Sequence, residues 1–363
     1  MISIEDYGYD YQDVQVPEGM IPARVTQVRR ERYAAICEYG EVSAVASGAF
    51  AHAALDREDF PAVGDFVLMR HNPAGNCLIT RLLPRRSKIS RADNSGHKEG
   101  YVKFIMEQVL AANFDTAFIM TSLNLDFSPQ RVSRYLTLAR QSGGTPVVLL
   151  TKMDLVDDAS RHLEAVARIA SDVPVVALSS LTGQGLDALS EYLRPRRTVV
   201  FLGMSGVGKS SLLNALAGEE LMAVKEIRED DSRGRHTTTH RELFRLPGGA
   251  MVIDTPGMRE LGMWDAQEGV KQSFADVEAL FSKCRFGNCA HNGDPGCAVE
   301  EALANGTLPK EMWVAYSRQS REAAAIARMS AIKDGHRARR AAVAGHGGKG
   351  KPNAGYRGKG EED

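Results

Sequence analysis

The chain reads as multidomain: an N-terminal all-β barrel, a central α/β domain on a parallel sheet, and a C-terminal, mostly helical segment around a metal site. Three observations predict this. From Gly19 to roughly Arg91 short β-type runs are broken by turns, from Gln108 apolar strands alternate with amphipathic helices, and beyond Trp264 three cysteines and a histidine crowd one loop. A chain of 363 residues has room for such a series. The expected boundaries are an acidic leader over 1–18, the barrel over 19–92, a linker over 93–107, the α/β domain over 108–266, the helical zinc-binding domain over 267–334 and a basic disordered tail over 335–363.

Composition narrows the class. With 43% hydrophobic and 25% charged residues the chain is globular, neither fibrous nor disordered. No apolar run approaches the roughly 18 residues of a membrane span, and the acidic start MISIEDYGYDYQDV lacks the pattern of a secretory signal. The expectation is a cytoplasmic protein with no membrane partner. Five cysteines, three of them clustered, suit a metal site better than a disulfide framework.

In the barrel, ARVTQV, YAAICEYG, EVSAVASG, DFVLMRH and CLITRLL predict five strands, which fit an oligonucleotide-binding (OB) type or an SH3-like barrel. The polar stretch Ser90–Gly100, with Asp93-Asn94-Ser95-Gly96, predicts a loop. Beyond it TAFIMTS, PVVLLTK, VPVVALSS and TVVFLGMSG read as strands, with helices over PQRVSRYLTLARQSG, SRHLEAVARIAS and LDALSEYL and another from Lys209; ELFRL and MVIDTP add two strands. The tail from Gly335 is basic and glycine-rich, and cannot bury a core. Between Lys333 and Asp363 eight Lys or Arg face four acids.

The central domain carries a phosphate-binding loop, Gly203-Met204-Ser205-Gly206-Val207-Gly208-Lys209-Ser210, between a strand and a helix. Backbone N–H groups from Gly203, Ser205, Gly206, Val207, Gly208 and Ser211 are candidates to cradle phosphates at a helix N-terminus. Lys209 is expected to reach the β and γ phosphates and the Ser210 hydroxyl to bind Mg²⁺. Asp254 ends a strand, where it can hold magnesium through water, and the Gly257 N–H follows in Asp254-Thr255-Pro256-Gly257 to face the γ phosphate. Between these motifs, after the charged run Arg228–Arg235, come His236, Thr237, Thr238 and Thr239. Thr238 is the first choice to close on magnesium and Thr237 the second.

Thr151-Lys152-Met153-Asp154 reads the base, because a carboxylate at this loop accepts from guanine N1 and N2 together, which adenine cannot match. Ser179 and Ser180 follow the next strand, and the Ser180 N–H can meet guanine O6. Ordinary GTPases place the phosphate loop first; here the guanine motif precedes it. That order predicts a circularly permuted P-loop GTPase domain binding GTP/GDP and Mg²⁺. Separately, Cys284, Cys289, His291 and Cys297 lie within fourteen positions, a Cys₃His set suited to one structural, tetrahedral Zn²⁺, with Gly287, Gly293 and Gly296 supplying turns.

Over nearly the whole chain these features resemble the ribosome small-subunit-dependent GTPase A family of bacteria. LPRRSKISR, AANFDTAFIMTSLNLDFSPQRVSRYL, the permuted order, Gly-Arg-His-Thr-Thr-Thr, Asp-Thr-Pro-Gly-Met and CRFGNCAHNGDPGC carry the likeness. It implies an OB-fold barrel, a permuted GTPase and a zinc domain, with GTP hydrolysis stimulated by the 30S subunit during its late maturation and 16S rRNA as the surface met there. Two departures stand out. Thr151 occupies the position of the family's Asn, a loss expected to weaken base-loop packing slightly, and the tail after Arg340 is specific to this chain.

Met258 stands where ordinary GTPases often carry a water-orienting glutamine, so slow intrinsic turnover is expected, and His236 is the candidate to orient or activate water. Arg81, Arg85, Arg86, Lys88 and Arg91 near the barrel exit, and Lys333, Arg337, Arg339 and Arg340 in the tail, are candidate RNA contacts. Two rivals remain at this stage: an RNA-binding assembly factor with a structural nucleotide, and a permuted GTPase of large-subunit assembly. A monomer is the default.

Overall fold

The computed structural model describes residues 2–93, 98–99, 102–103, 106–124, 127–222, 241–255 and 266–346; beyond Ala331 it describes the backbone alone. All five barrel strands form where β-branched and aromatic runs predict them: β1 (Ile21–Arg29), β2 (Arg32–Cys37), β3 (Gly40–Ala46), β4 (Phe66–Arg70) and β5 (Cys77–Leu82). Helix α1 (Gly48–Ala53), capped by the Ser47 hydroxyl, lies between β3 and β4. The pairing runs β1-β2-β3-β5-β4, β3 and β5 are parallel, and β4 returns to β1. This closed order is that of the OB type. Inward-facing Ala23, Val25, Ala35, Val67, Met69 and Ile79 fill the barrel.

The expected linker is instead a β-ribbon. Strand β6 (Lys88–Asp93) pairs antiparallel with β9 (Met106–Ala112), and β7 (Lys98–Glu99) with β8 (Val102–Lys103) between them; residues 94–97 lie outside the described residues. Ile89, Leu110 and Ala111 enter the main core, and Lys88 Nζ lies 2.7 Å from buried Glu107. Those apolar contacts outweigh the turn-rich composition next to them.

The central domain follows as β10 (Thr116–Ser122), α2 (Pro129–Gln141), β11 (Thr145–Thr151), α3 (Ser160–Ala167), β12 (Val175–Ala177), β13 (Thr198–Leu202), α4 (Lys209–Ala217), β14 (Glu242–Arg245) and β15 (Met251–Asp254). LDALSEYL makes only a single 3₁₀ turn at Asp187–Leu189 where a helix was expected. The sheet order is β12-β11-β10-β13-β15-β14, parallel except for β14, and every residue of β10, β13 and β15 is buried. On one face α2 packs with Val132, Leu136 and Ala139; on the other α4 packs with Leu212 and Leu213. Edge strand β14 also pairs with β1 at Gln27 and Glu242, so barrel and nucleotide sheet are continuous.

The C-terminal segment holds α5 (Gln267–Ser273), α6 (Ala275–Phe281), α7 (Ala298–Ala304) and α8 (Lys310–His346). Helix α8 docks on α2: Arg134 forks onto Glu322 at 2.6 and 2.7 Å, and buried Gln319 accepts from the Thr137 hydroxyl and donates to Ser133 Oγ. The helix runs past Gly335, where a disordered tail was expected. Arg and Ala in HRARRAAVA are strong helix formers, and their propensity prevails over Gly335 and Gly345. Residues 347–363 lie outside the described residues.

Candidate nucleotide site and metal centre

The phosphate loop turns from β13 into α4 through Gly206 (φ 85°) and Gly208 (φ 97°), both in the left-handed region that favours glycine. At Gly203 a Cβ would come within 2.7 Å of the Met120 carbonyl oxygen, so close packing on β10 requires glycine there. Lys209 is buried, and its ammonium donates to the carbonyls of Gly203 (2.9 Å) and Met204 (2.8 Å). Burial pushes its pKa down while the Asp254 charge raises it. Asp254 lies opposite, at the end of β15; burial pushes its carboxyl up and Lys209 counters this.

Among the described residues Asp254 Oδ1 is buried without a hydrogen-bond partner. An orphaned carboxylate oxygen beside a phosphate loop fits a magnesium-bound water. Next to it the Thr255 hydroxyl donates to the Phe201 carbonyl at 2.6 Å, tying the chain after Asp254 to β13. No sequence signal pointed to that bond.

At the guanine loop Lys152 takes a left-handed conformation (φ 61°) and a 3₁₀ turn over Met153–Leu155 leaves Asp154 exposed. The Ser179 hydroxyl donates to Asp154 Oδ1 and accepts from the N–H groups of Leu181 and Thr182, each at 3.2 Å. Ser179 is itself buried, so it holds the Asp154 carboxylate from beneath, and Ser180 sits half-buried beside it. Thr151, in the position of the family's Asn, has a partner of its own. Its hydroxyl, 2% exposed, donates to the Val207 carbonyl at 2.6 Å, tying the guanine loop directly to the phosphate loop. Ser205 is exposed at the loop's rim, while Ser210 and Ser211 begin α4 half-buried. His236, Thr237, Thr238, Gly257 and Met258 lie outside the described residues.

The structure brings the four metal candidates together. The ligand atoms of Cys284, Cys289, His291 and Cys297 lie within 4.8 Å of one another, and His291 Nδ1 is 3.6 Å from Cys284 Sγ and 3.5 Å from Cys297 Sγ. Zinc bonds of about 2.3 Å to sulfur and 2.0–2.1 Å to nitrogen give a tetrahedral S···N edge of roughly 3.6 Å, so these residues fit zinc. His291 (φ 56°) stacks on Phe281 of α6 with ring centroids 4.3 Å apart and meets Trp313 of α8 edge-on. Asp294, which spacing did not single out, accepts from the Ala290 N–H at 2.8 Å and steadies the loop beside Cys289.

Of the basic residues near the barrel exit, Arg85 turns inward. It pairs with fully buried Asp65 at 2.7 Å and donates to the carbonyls of Glu58 and Phe60, so it is withdrawn from any RNA surface. Arg81, Arg86, Lys88 and Arg91 remain exposed.

Comparison with known proteins decides the family. The family described as RsgA GTPase matches residues 82–264. A relative from Lactiplantibacillus plantarum named small ribosomal subunit biogenesis GTPase RsgA 2 is 43% identical over 310 residues, 85% of each chain. The chain belongs to the RsgA GTPase family. An RsgA of Streptomyces avermitilis is 44% identical over 309 residues, covering 84% of this chain and 80% of that one. The crystal structure of YjeQ from Thermotoga maritima superposes with a TM-score of 0.59 at 26% identity, over 84% of this chain and 98% of that one. YloQ, a circularly permuted GTPase, shares the fold at 22% identity and TM-score 0.56, over 84% and 96%. An RsgA-family chain is a GTPase, a hydrolase acting on GTP, and the family implies GTP/GDP and Mg²⁺. Among the described residues no helix is long and apolar enough to cross a membrane.

Proposed function

We propose that this RsgA-family GTPase binds the 30S ribosomal subunit through its 16S rRNA, assists late maturation, hydrolyses GTP to GDP and phosphate faster there, and then dissociates. The observation that carries this reading is an OB-type barrel paired edge to edge with the nucleotide sheet, in a chain 43% identical to a small-subunit biogenesis GTPase.

Asp154, oriented by Ser179, accepts from the guanine edge, and the Ser180 N–H donates to O6. Thr151 keeps that loop in register with the phosphate loop. Backbone N–H groups from Gly203 to Ser211 cradle the phosphates, and Lys209 leaves its two carbonyl partners for the β and γ oxygens. Ser210, Asp254 and Thr238 would hold magnesium, which would supply positive charge against that of the β and γ oxygens. The Gly257 N–H meets the γ phosphate, and His236 orients water in place of the glutamine that Met258 replaces. Cys284, Cys289, His291 and Cys297 take one zinc in a closed, structural site. Arg81, Arg86 and Arg91, with Lys333, Arg337, Arg339 and Arg340, meet RNA phosphates, giving salt-sensitive binding. The protein acts in the cytoplasm as a monomer.

The test is GTP hydrolysis by the zinc-loaded protein alone, with 30S subunits and with 50S subunits, with ATP in parallel. Stimulation by 30S alone supports the reading. Stimulation by 50S, or by neither particle, overturns the assignment to the small subunit.

A further inference from the structure

Arg24 is a deeply buried barrel cation that the chemistry above does not use. It sits in β1 with 1% of its surface exposed, at the seam where leader, barrel and nucleotide domain meet. A buried guanidinium is ordinarily balanced by a carboxylate. Here none of its described hydrogen bonds goes to one.

Its donors reach five separate segments. Nε donates to the Gly64 carbonyl (3.2 Å) before β4, Nη1 to the Tyr7 carbonyl (2.6 Å) in the leader, and Nη2 to the Asn113 carbonyl (2.8 Å) where the ribbon passes into β10. Nη1 also donates to the Thr198 hydroxyl (2.9 Å) and lies 3.1 Å from Met251 Sδ. The guanidinium covers the Phe66 ring at 4.8 Å. The backbone around it is equally fitted: a Cβ at Gly64 (φ 90°) would fall 2.1 Å from the Ala112 carbonyl oxygen, and Asn113 takes a left-handed turn (φ 54°).

Thr198 and Met251 are the first residues of β13 and β15. The far end of β13 delivers the phosphate loop and the far end of β15 is Asp254. One planar, five-donor group from the barrel therefore fixes the near ends of both strands that carry the phosphate and magnesium ligands. Apolar residues could fill the space but could not satisfy four carbonyl and hydroxyl acceptors at set angles.

We propose that Arg24 is a positioning residue that registers the barrel against the nucleotide domain, so that the barrel's docking orientation is transmitted to the phosphate loop and Asp254. The mechanical part stands on the geometry alone, while the transmission of docking rests on the small-subunit reading.

Hydrogen exchange of the full-length, zinc-loaded protein tests it, with wild type, Arg24→Met, Arg24→Lys and Thr198→Val compared. Arg24→Met is expected to speed exchange at least tenfold in peptides covering 112–116, 198–202 and 242–254, leaving the barrel hairpin 32–46 unchanged. Arg24→Lys is expected to be no better than partial, because an ammonium cannot span the same acceptors. Thr198→Val removes one acceptor on the nucleotide side and is expected to loosen β13 alone, which keeps the proposal testable if Arg24 variants fail to fold. Unchanged seam exchange in Arg24→Met, or in Thr198→Val where the former is insoluble, overturns the proposal. In parallel, 30S-stimulated turnover of Arg24→Met is expected to fall by more than tenfold relative to its own basal rate. If wild type is not stimulated by 30S, the small-subunit reading fails while the exchange data still decide the role of Arg24.

Discussion

The cysteine–histidine cluster and the nucleotide site are built on opposite plans. All four zinc candidates come from fourteen consecutive positions, closed by one loop against α6 and α8. The nucleotide site is assembled from strand ends far apart in sequence: Thr151 meets Val207, Ser179 meets Asp154, and Asp254 faces Lys209. A local site depends on its own spacing, whereas a dispersed one depends on the whole sheet. The consequence is an expected independence, with damage to the loop staying local and damage to the sheet reaching the nucleotide.

The strongest challenge to that contrast is Cys297→Ser. Structural zinc contributes on the order of 10 kcal/mol in isolated zinc fingers, so the variant is expected to lose its metal and unseat α7 and the start of α8. Trp313 beside His291 reports this: in a Trp264→Phe background its emission should shift on metal loss, while GDP affinity, set at a distant site, stays within about twofold. A large loss of GDP binding in the same variant would dissolve the distinction between the two sites.

A smaller effect is expected from Asp154→Ala. Two hydrogen bonds from the base to a charged acceptor, at about 1.5–3 kcal/mol each, predict a loss of GTP affinity of at least about 100-fold. Calorimetry reads that affinity, and a colorimetric chelator assay should find the zinc content unchanged. The smallest effect belongs to Thr151→Val, which leaves the Val207 carbonyl unsatisfied at a cost of about 1 kcal/mol, or about fivefold in GDP affinity. Thr151→Ser should recover most of it, and equal affinities for the Val and Ser variants would remove Thr151 from the list of positioning residues.

The same contrast explains what could be read beforehand. Gly203 to Ser210 and the cysteine loop were legible because their chemistry lies in short spacings, and the five barrel strands because β-branched runs end at turns. The ribbon of β6 and β9 was not, since Asp93-Asn94-Ser95-Gly96 next to it reads as loop and only the core contacts of Ile89 and Leu110 make it a strand pair. Nor was Arg85, which looks like one more surface cation in LPRRSK until Asp65 is brought against it. Arg24 fails for a related reason: Ala23, Arg24 and Val25 are all buried, so strand alternation breaks down where β1 is covered on both sides. Thr151 illustrates a different limit, because spacing alone does not show that its hydroxyl reaches the Val207 carbonyl.

The pairing of β14 with β1 carries one more implication. Residues 223–240, which hold His236 and Thr238, lead directly into β14 and so end on a strand held by the barrel. Residues 256–265, which hold Gly257, lead into α5, where the Gly269 N–H donates to Gln141 of α2 and the helix packs against α8. The described chain after the first segment is thus anchored on the barrel, and that after the second on α2 of the nucleotide domain as well as on α8. Anchored on different neighbours, the two exits are expected to answer separately to a displacement of the barrel and to one of α8.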